Sequence, residues 1–397
     1  MDVKPSCGCL LRTFDRIPDP RAANVSFSLT SLLSMTLLAV LCRCDDYDEI
    51  ACWCEQRVEW LAEFLDLPTG ERARRTPHAD TFERIFRRID PKALQEAFIA
   101  FTAGVAEASN GRLIALDGKT LRGSVDHGGR KAAIHMVHAW DQRNRLVLGQ
   151  LAVDENSNEI TAVPKLLELL DVNGAVLSLD AMHCQKETAT AIRKSGADYL
   201  LAVKENQRTL HEDLKLFFDD AIEQGDEGLD HAVAEPDTAH GRLDEREAWS
   251  SGDVAWLRHR HPGWRDLGGV VCVESRRLNF KTGEQSVTRR FYITSLDAGK
   301  KMGAGELLTL VRGHWGIENE LHWSLDVCFG EDASRVRKDH GPQNLAVIRR
   351  QALNLLRSNP PTHGNYARRS TNVSLKRRRL LCSLDDNYLR QTFGRTS

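Results

Sequence analysis

Residues 114–124 read IALDGKTLRGS, an apolar run that meets one acid, Asp117, then a glycine, then two cations, Lys119 and Arg122. A short apolar run bounded by turn residues predicts a buried strand. That places Asp117 at the strand's end. Two readings of the acid compete. Asp-Gly is a common turn dipeptide. A carboxylate leaving a buried strand is also a ligand for a hard cation, and cations just beyond it suit a phosphate backbone.

Working outward, the pattern repeats. Residues 131–141 (KAAIHMVHAWD) and 145–155 (RLVLGQLAVDE) predict two more strands, joined by the hairpin turn DQRN. Residues 159–170 predict a helix, 175–182 (AVLSLDAM) a fourth strand, 186–196 a helix closed by Gly196, and 198–206 a fifth strand. The order β-β-β-α-β-α-β defines an α/β fold, and periodicity alone goes no further than that. Asp180 ends the fourth strand as Asp117 ends the first, and neighbouring strands of one sheet would bring the two together. From about 206 to 289 the pattern loosens into an insertion with β-structure, including EREAWSS and GGVVCVESRRL. RRFYITSL follows just beyond, and residues 304–332 predict one long helix carrying Glu318.

Before residue 111 the chain reads as all helical. Residues 27–42 (FSLTSLLSMTLLAVLC) are apolar but too short to span a bilayer and predict a buried core helix. Asp80 or Thr81 is expected to cap one helix, and Asp90-Pro91 to end that helix and open the next. Three units follow: a helical domain over 1–110, an α/β domain over 111–357 with its insertion at 206–289, and a basic tail over 358–397. No signal peptide is evident, which predicts a cytoplasmic protein without a membrane partner.

Net charge is -2 over 397 residues, so no global field points to nucleic acid. The distribution does: from Arg335 onward stand fourteen Lys and Arg against three Asp and Glu. Ten cysteines include three Cys-x-Cys pairs in the first 54 residues. A zinc-thiolate module is one reading of them. Residues two apart on a helix point about 200° apart, which favours separate core or surface thiols.

Three carboxylates around one site repel one another, and a hard cation removes that cost. Mg²⁺ takes oxygen ligands and keeps waters and substrate phosphates. A pair of such ions supports in-line phosphoryl transfer. The residue spacing carries little weight, since 63 positions separate Asp117 from Asp180 and 138 separate Asp180 from Glu318.

The segments LIALDGKTLRGS, LSLDAMHCQKETA, DYLLAVKENQ, HGRLDERE and the long stretch 311–356, in that order, resemble the ISAs1 group of insertion-sequence transposases. That group includes the H-repeat-associated proteins and is related to the IS4 class. Residues 14–42 and 75–91 resemble the helical domain that accompanies it. The resemblance implies a DDE transposase: a ribonuclease-H-like core with a β-rich insertion, cutting double-stranded DNA at element ends and joining the 3′-ends to a target. Carried over by position, the catalytic and metal-binding triad is Asp117, Asp180 and Glu318. The implied cofactor is Mg²⁺, with Mn²⁺ as substitute. The implied partners are DNA on the nucleoid and a second copy of the chain in the synaptic complex.

The wider class carries Tyr-x2-Arg-x3-Glu-x6-Lys around the third acid. Here Val311, His314 and Leu325 occupy the Tyr, Arg and Lys positions, so only the acid survives. Expected DNA contacts are Lys119, Arg122, His183, Gln185, Lys204, Arg312 and His314, with Asn206 and Gln207 as further polar contacts. Trp315 and Trp323, eight apart on one helix face, are expected in the core, with base stacking as the alternative. The basic run SLKRRRLLC (374–382) is a candidate phosphate-binding helix. Competing readings are a nuclease that cuts without joining and an inactive DNA-binding remnant.

Overall fold

Alternating apolar residues build one sheet of nine strands. The computed structural model describes residues 7–22, 25–68, 74–104, 113–126, 132–153, 159–238, 241–361 and 373–394. The expected boundary at Asn110-Gly111, the side chains of Cys7 and Cys9, and residues 362–372 of the basic tail lie outside them.

Strands β1 (Leu113–Leu121), β2 (Ile134–Asp141) and β3 (Leu146–Ala152) form an antiparallel meander. Asp141 braces its turn by accepting hydrogen bonds from the backbone of Arg143 and Asn144. Helix α7 (Glu159–Leu167) then leads to β4 (Val176–Leu179), and α8 (Lys186–Lys194) to β5 (Asp198–Val203). β1, β4 and β5 run parallel. After α9 (Arg208–Glu223), strands β6 (Asp230–Val233) and β7 (Arg242–Ser251) pair. α10 (Ala255–Arg260), β8 (Gly269–Asn279) and β9 (Gln285–Thr294) follow. β9 pairs antiparallel with β5, so these strands extend the same sheet, in the order β3-β2-β1-β4-β5-β9-β8-β7-β6.

Period-two alternation gives the sheet two apolar faces. Ile114, Leu116, Leu177, Leu179, Tyr199 and Ile293 lie in the core covered by α7 to α10. Leu113, Val176, Leu200, Val271 and Tyr292 lie in the core covered by helix α11 (Ala304–His314).

Among the described residues six helices precede the sheet: α1 (Cys7–Phe14), α2 (Leu29–Leu41), α3 (Tyr47–Gln56), α4 (Val58–Ala62), α5 (Ala79–Arg88) and α6 (Pro91–Ala103). α2 is apolar on every side and buried on every side, as such a helix must be. Asp90 caps α6 ahead of Pro91 as expected, whereas α5 is capped by His78, two residues before Asp80 and three before Thr81. On α3, Cys52 is exposed and Cys54 buried, as residues two apart on a helix require.

These helices share one core with three at the other end of the chain: α13 (Gly341–Ser358), α14 (Leu375–Leu384) and α15 (Asp386–Phe393). The basic run at 374–382 is therefore not a free phosphate-binding face. Its Arg379 is buried, held by the carbonyls of Val40 and Cys328 and by Asp45. Arg378 donates to the carbonyls of Leu356 and Val373. Lys376 and Arg377 remain exposed.

One buried ion pair fastens the helical core to the sheet. Arg350 of α13 forms a bidentate pair with Glu331 and also donates to His138 Nε2 on β2 at 3.0 Å. Both members of the pair are fully enclosed. Removing one partner strands the other's charge in a dry site. Arg350→Met is expected to lower stability by about 3–5 kcal/mol, and the double variant Arg350→Met/Glu331→Leu to recover most of that loss. Denaturant unfolding of the three proteins, which would show no recovery if packing alone were lost, checks this.

Candidate active site

Strand register decides which acids meet. Leu116 of β1 pairs with Leu179 of β4, so Asp117 and Asp180 come one residue further along the same parallel register. Leu113 and Val176 pack under α11, and alternation sends Asp117 and Asp180 out on that same face. Asp180 follows the last residue of β4, as the sequence predicts.

Asp117 does not end its strand. β1 continues to Leu121, and Asp117 lies opposite His138. Gly118 is accordingly not a turn residue: a Cβ there would fall 2.3 Å from His135 Nε2 and 2.6 Å from the Glu159 carboxyl. The Asp-Gly pair marks a close approach in mid-strand.

The helix expected over 304–332 is broken. α11 passes through a wider π turn, Ile317–His322, into α12 (Trp323–Phe329). Four side chains spaced by four residues line it. His314 Nδ1 is 2.9 Å from Ser178 Oγ, and its Nε2 is 4.0 Å from Asp180. Glu318 follows. His322 Nδ1 is 3.7 Å from Asp117, with its ring against His138. Asp326 accepts from Lys119 Nζ at 2.7 Å. A four-residue step drifts about 40° around an α-helix. The i→i+5 bonding of the π turn offsets that drift, so the row stays over β4 and β1. Gly316 lets the turn sit low, since a Cβ there would meet Gln142 Oε1 at 2.0 Å.

The expected DNA contacts divide. Lys204 and Arg312 are exposed, and Arg122 is 80% exposed beside Asp332. Lys119 is only 7% exposed and is neutralised by Asp326 and Asp332, so it does not reach out to a phosphate. His183 is completely buried and bonded to Glu159, so it cannot face a duplex. Gln185, half-buried, accepts from Gln207 at 3.2 Å. Asn206 and Gln207 donate to the carbonyls of Ala181 and Cys184 and brace the turn after Asp180.

Trp315 and Trp323 are not core residues. They are 41% and 56% exposed. With Arg312 and Asn319 they form one wall of a groove of about 920 Å³, whose other wall includes Arg242, Arg246, Arg277 and Arg290 from β7 to β9. The guanidinium of Arg290 lies over the Trp315 ring. Sequence reasoning missed Glu159, His135, His322 and Arg290. Only His322 carried a signal, its spacing of four from Glu318.

Burial pushes the Asp117 carboxyl up to about 7, and the negative charges of Asp180, Glu318 and Glu159 push the same way. Glu318 is raised by burial and by Asp180, with Arg290 and Lys204 opposing. His322 is held down at about 3 by burial and by Lys119 and Arg350. Among the described residues no three His, Cys, Asp or Glu side chains form a closed metal cage. The donor chemistry nevertheless fits a hard cation: three carboxylates, two of them raised in part by the charge of the others. Mg²⁺ is commonly held by one or two carboxylates plus substrate phosphates rather than by an all-protein cage.

Residues 108–355 match the family described as Transposase DDE domain, and residues 11–102 match the DDE_Tnp_1-associated family. The chain belongs to the DDE transposase family. It is 37% identical over 368 residues, 92% of each chain, to "Putative transposase YncI" of Escherichia coli O157:H7. It is 32% identical over 383 residues, 96% of each chain, to "H repeat-associated putative transposase YhhI" of Escherichia coli K12. These relatives agree with the insertion-sequence group the motifs resemble. The solved piggyBac transposase synaptic complex with hairpin DNA overlays with a TM-score of 0.47 and 10% identity, covering 100% of this chain and 83% of that one, too loosely to carry an argument.

A carboxyl raised in the folded state costs stability as it ionises. Without a divalent cation, that loss grows from the unfolded value near 4 up to about pH 7 and is constant above it. Asp117→Asn is therefore expected to be more stable than the parent at pH 8 in EDTA, by on the order of 2–4 kcal/mol, and to unfold at a higher temperature. At pH 4 the two should coincide. Thermal melts at both pH values check the sign.

Proposed function

We propose that this protein is an active metal-dependent transposase, in which Asp117, Asp180 and Glu318 hold divalent cations at the phosphate being cut and joined. The observation that supports this best is that Asp117 and Asp180 leave adjacent parallel strands at one level on the same sheet face, with Asp117 pushed up to about 7 by burial and by the charges of Asp180, Glu318 and Glu159. Mg²⁺, or Mn²⁺ in its place, would be held by these residues and would supply charge stabilisation to an in-line displacement. The chain's own contribution would be positional: β1 and β4 set the two aspartates at one level, and Glu318, between His314 and His322 on the π turn, would close over them.

The strand order β3-β2-β1-β4-β5, with β2 antiparallel, supports a ribonuclease-H-like core over 111–357. The strands at 206–289 lengthen that core's sheet. The helices of 1–110 would then form the transposase-associated domain, acting in the cytoplasm on the nucleoid. The described residues include no helix long and apolar enough to cross a membrane.

For DNA, the supporting feature is the groove between α11 and the insertion strands, which begins beside Glu318. Arg242, Arg246 and Arg277 are paired with Asp244 in its wall, so Arg290 and Arg312 are the arginines that suit its phosphates, and the exposed tryptophans suit its bases. Lys204, Arg312 and Arg122 remain candidate contacts. His314, next to Asp180, stands where the wider class has arginine. Two element ends must be held together for joining, which supports a homodimer in the synaptic complex.

Two experiments test this. DNA carrying the element's ends is incubated with the parent protein and Asp117→Ala, in Mg²⁺ and in EDTA, and scored for cleavage and for joining to a target plasmid. Cleavage and joining by the parent in Mg²⁺ only are expected. Cutting without joining would make the protein a nuclease. Specific binding by both proteins with no cutting would make it an inactive remnant. Separately, Arg312→Ala is expected to weaken end binding and to reduce the salt-dependence slope by about 1. An unchanged slope, read from binding isotherms at several salt concentrations, would take Arg312 out of the phosphate contacts.

A further inference from the structure

His183 lies three residues after Asp180, yet it is sealed from solvent and touches no part of the groove. Its Nε2 is 3.0 Å from Glu159 Oε2. The other oxygen of Glu159 lies in ion-pair contact with His135 Nε2. His135 Nδ1 lies 2.8 Å from Thr120 Oγ1, three residues after Asp117. A single carboxylate, itself well buried, thus joins the residue three beyond one aspartate to the residue three beyond the other. The link runs across Gly118, where no side chain fits. By strand alternation it lies on the opposite face of β1 from the Asp117 carboxyl.

We infer that Glu159 is a positioning residue, a clamp that fixes the spacing of the Asp117 and Asp180 segments from behind the sheet. The inference rests on the reading of those two aspartates as cation ligands. Two like charges facing each other without a cation push their segments apart. Backbone pairing cannot hold the end of β4, because the strand stops at Leu179. Asn206 and Gln207 brace the outer side of that turn. Glu159 braces the inner side and connects it to β1 through β2. The hydrogen bonds from both imidazoles outweigh the effect of burial and hold the Glu159 carboxyl at about 2, so it stays anionic throughout the working range. Residues that orient ligands without touching the metal typically change its affinity by about 10–100-fold when replaced.

The test is Mn²⁺ binding to the DNA-free protein, followed by the electron paramagnetic resonance signal of free Mn²⁺. The parent, Asp117→Asn, Glu159→Gln and Glu159→Asp are compared, with thermal midpoints recorded for each. Glu159→Gln keeps the volume but accepts from only one imidazole N–H, and about a tenfold loss of Mn²⁺ affinity or more is expected. Glu159→Asp keeps the charge on a shorter stem and is expected to fall between Gln and the parent. Should Glu159→Gln fail to fold, Glu159→Asp decides alone. Parental Mn²⁺ affinity in the folded Glu159 variants, even with lowered midpoints, would overturn the clamp and leave a structural role only. Parental affinity in Asp117→Asn would instead overturn the cation reading beneath it.

Discussion

Mutual repulsion among three carboxylates is the constraint around which this protein is arranged. Asp117, Asp180 and Glu318 come from elements far apart in sequence, and each would be more stable further from the others. What holds them is ordinary packing. Apolar residues on both faces of the sheet set the register of β1 against β4. The apolar side of α11 presses on Leu113 and Val176. The cost of that placement is carried by a core far larger than the site.

The polar row over the site extends the same logic. His314, Glu318, His322 and Asp326 each have a counterpart on the sheet or stand over one. Lys119 shows how the row manages charge. It lies two residues from Asp117 on the same face of β1, but its ammonium is committed to Asp326 and Asp332. From there it helps keep His322 and His138 neutral. A buried cation and two neutral imidazoles thus surround Asp117 without forming a direct ion pair with it.

Much of this was legible in the sequence, and the limits have physical causes. The apolar runs located the first five strands and three strands of the insertion, because alternation is a local property. β6 escaped notice, being short and largely exposed. Asp117 was found for a partly mistaken reason. It looked like a strand end because Asp-Gly usually is one, whereas the glycine answers a contact with Glu159, 41 positions further on. Lys119 and His183 were misplaced in the same way: their partners are remote in sequence, and no local rule finds a partner 207 residues away. Trp315 and Trp323 looked like core residues because eight positions share a face of a regular helix. The π turn between them and the groove beside them give that face to solvent. The union of the first helices with the last left no pattern in either segment.

That union bears on how the protein is made. The thiol of Cys42 donates to the carbonyl of Cys382, 340 residues later, and Arg379 reaches back to Val40. At roughly 5–20 residues per second of synthesis, helix α2 waits about 17–68 s for the segments that cover it. Throughout that time α2 has only its neighbours among the first helices, α1 and α3, to pack against, and the face that α13 covers stays open. Translation stopped before α13 would leave that apolar face of α2 without its cover, the kind of exposed surface on which incomplete chains aggregate.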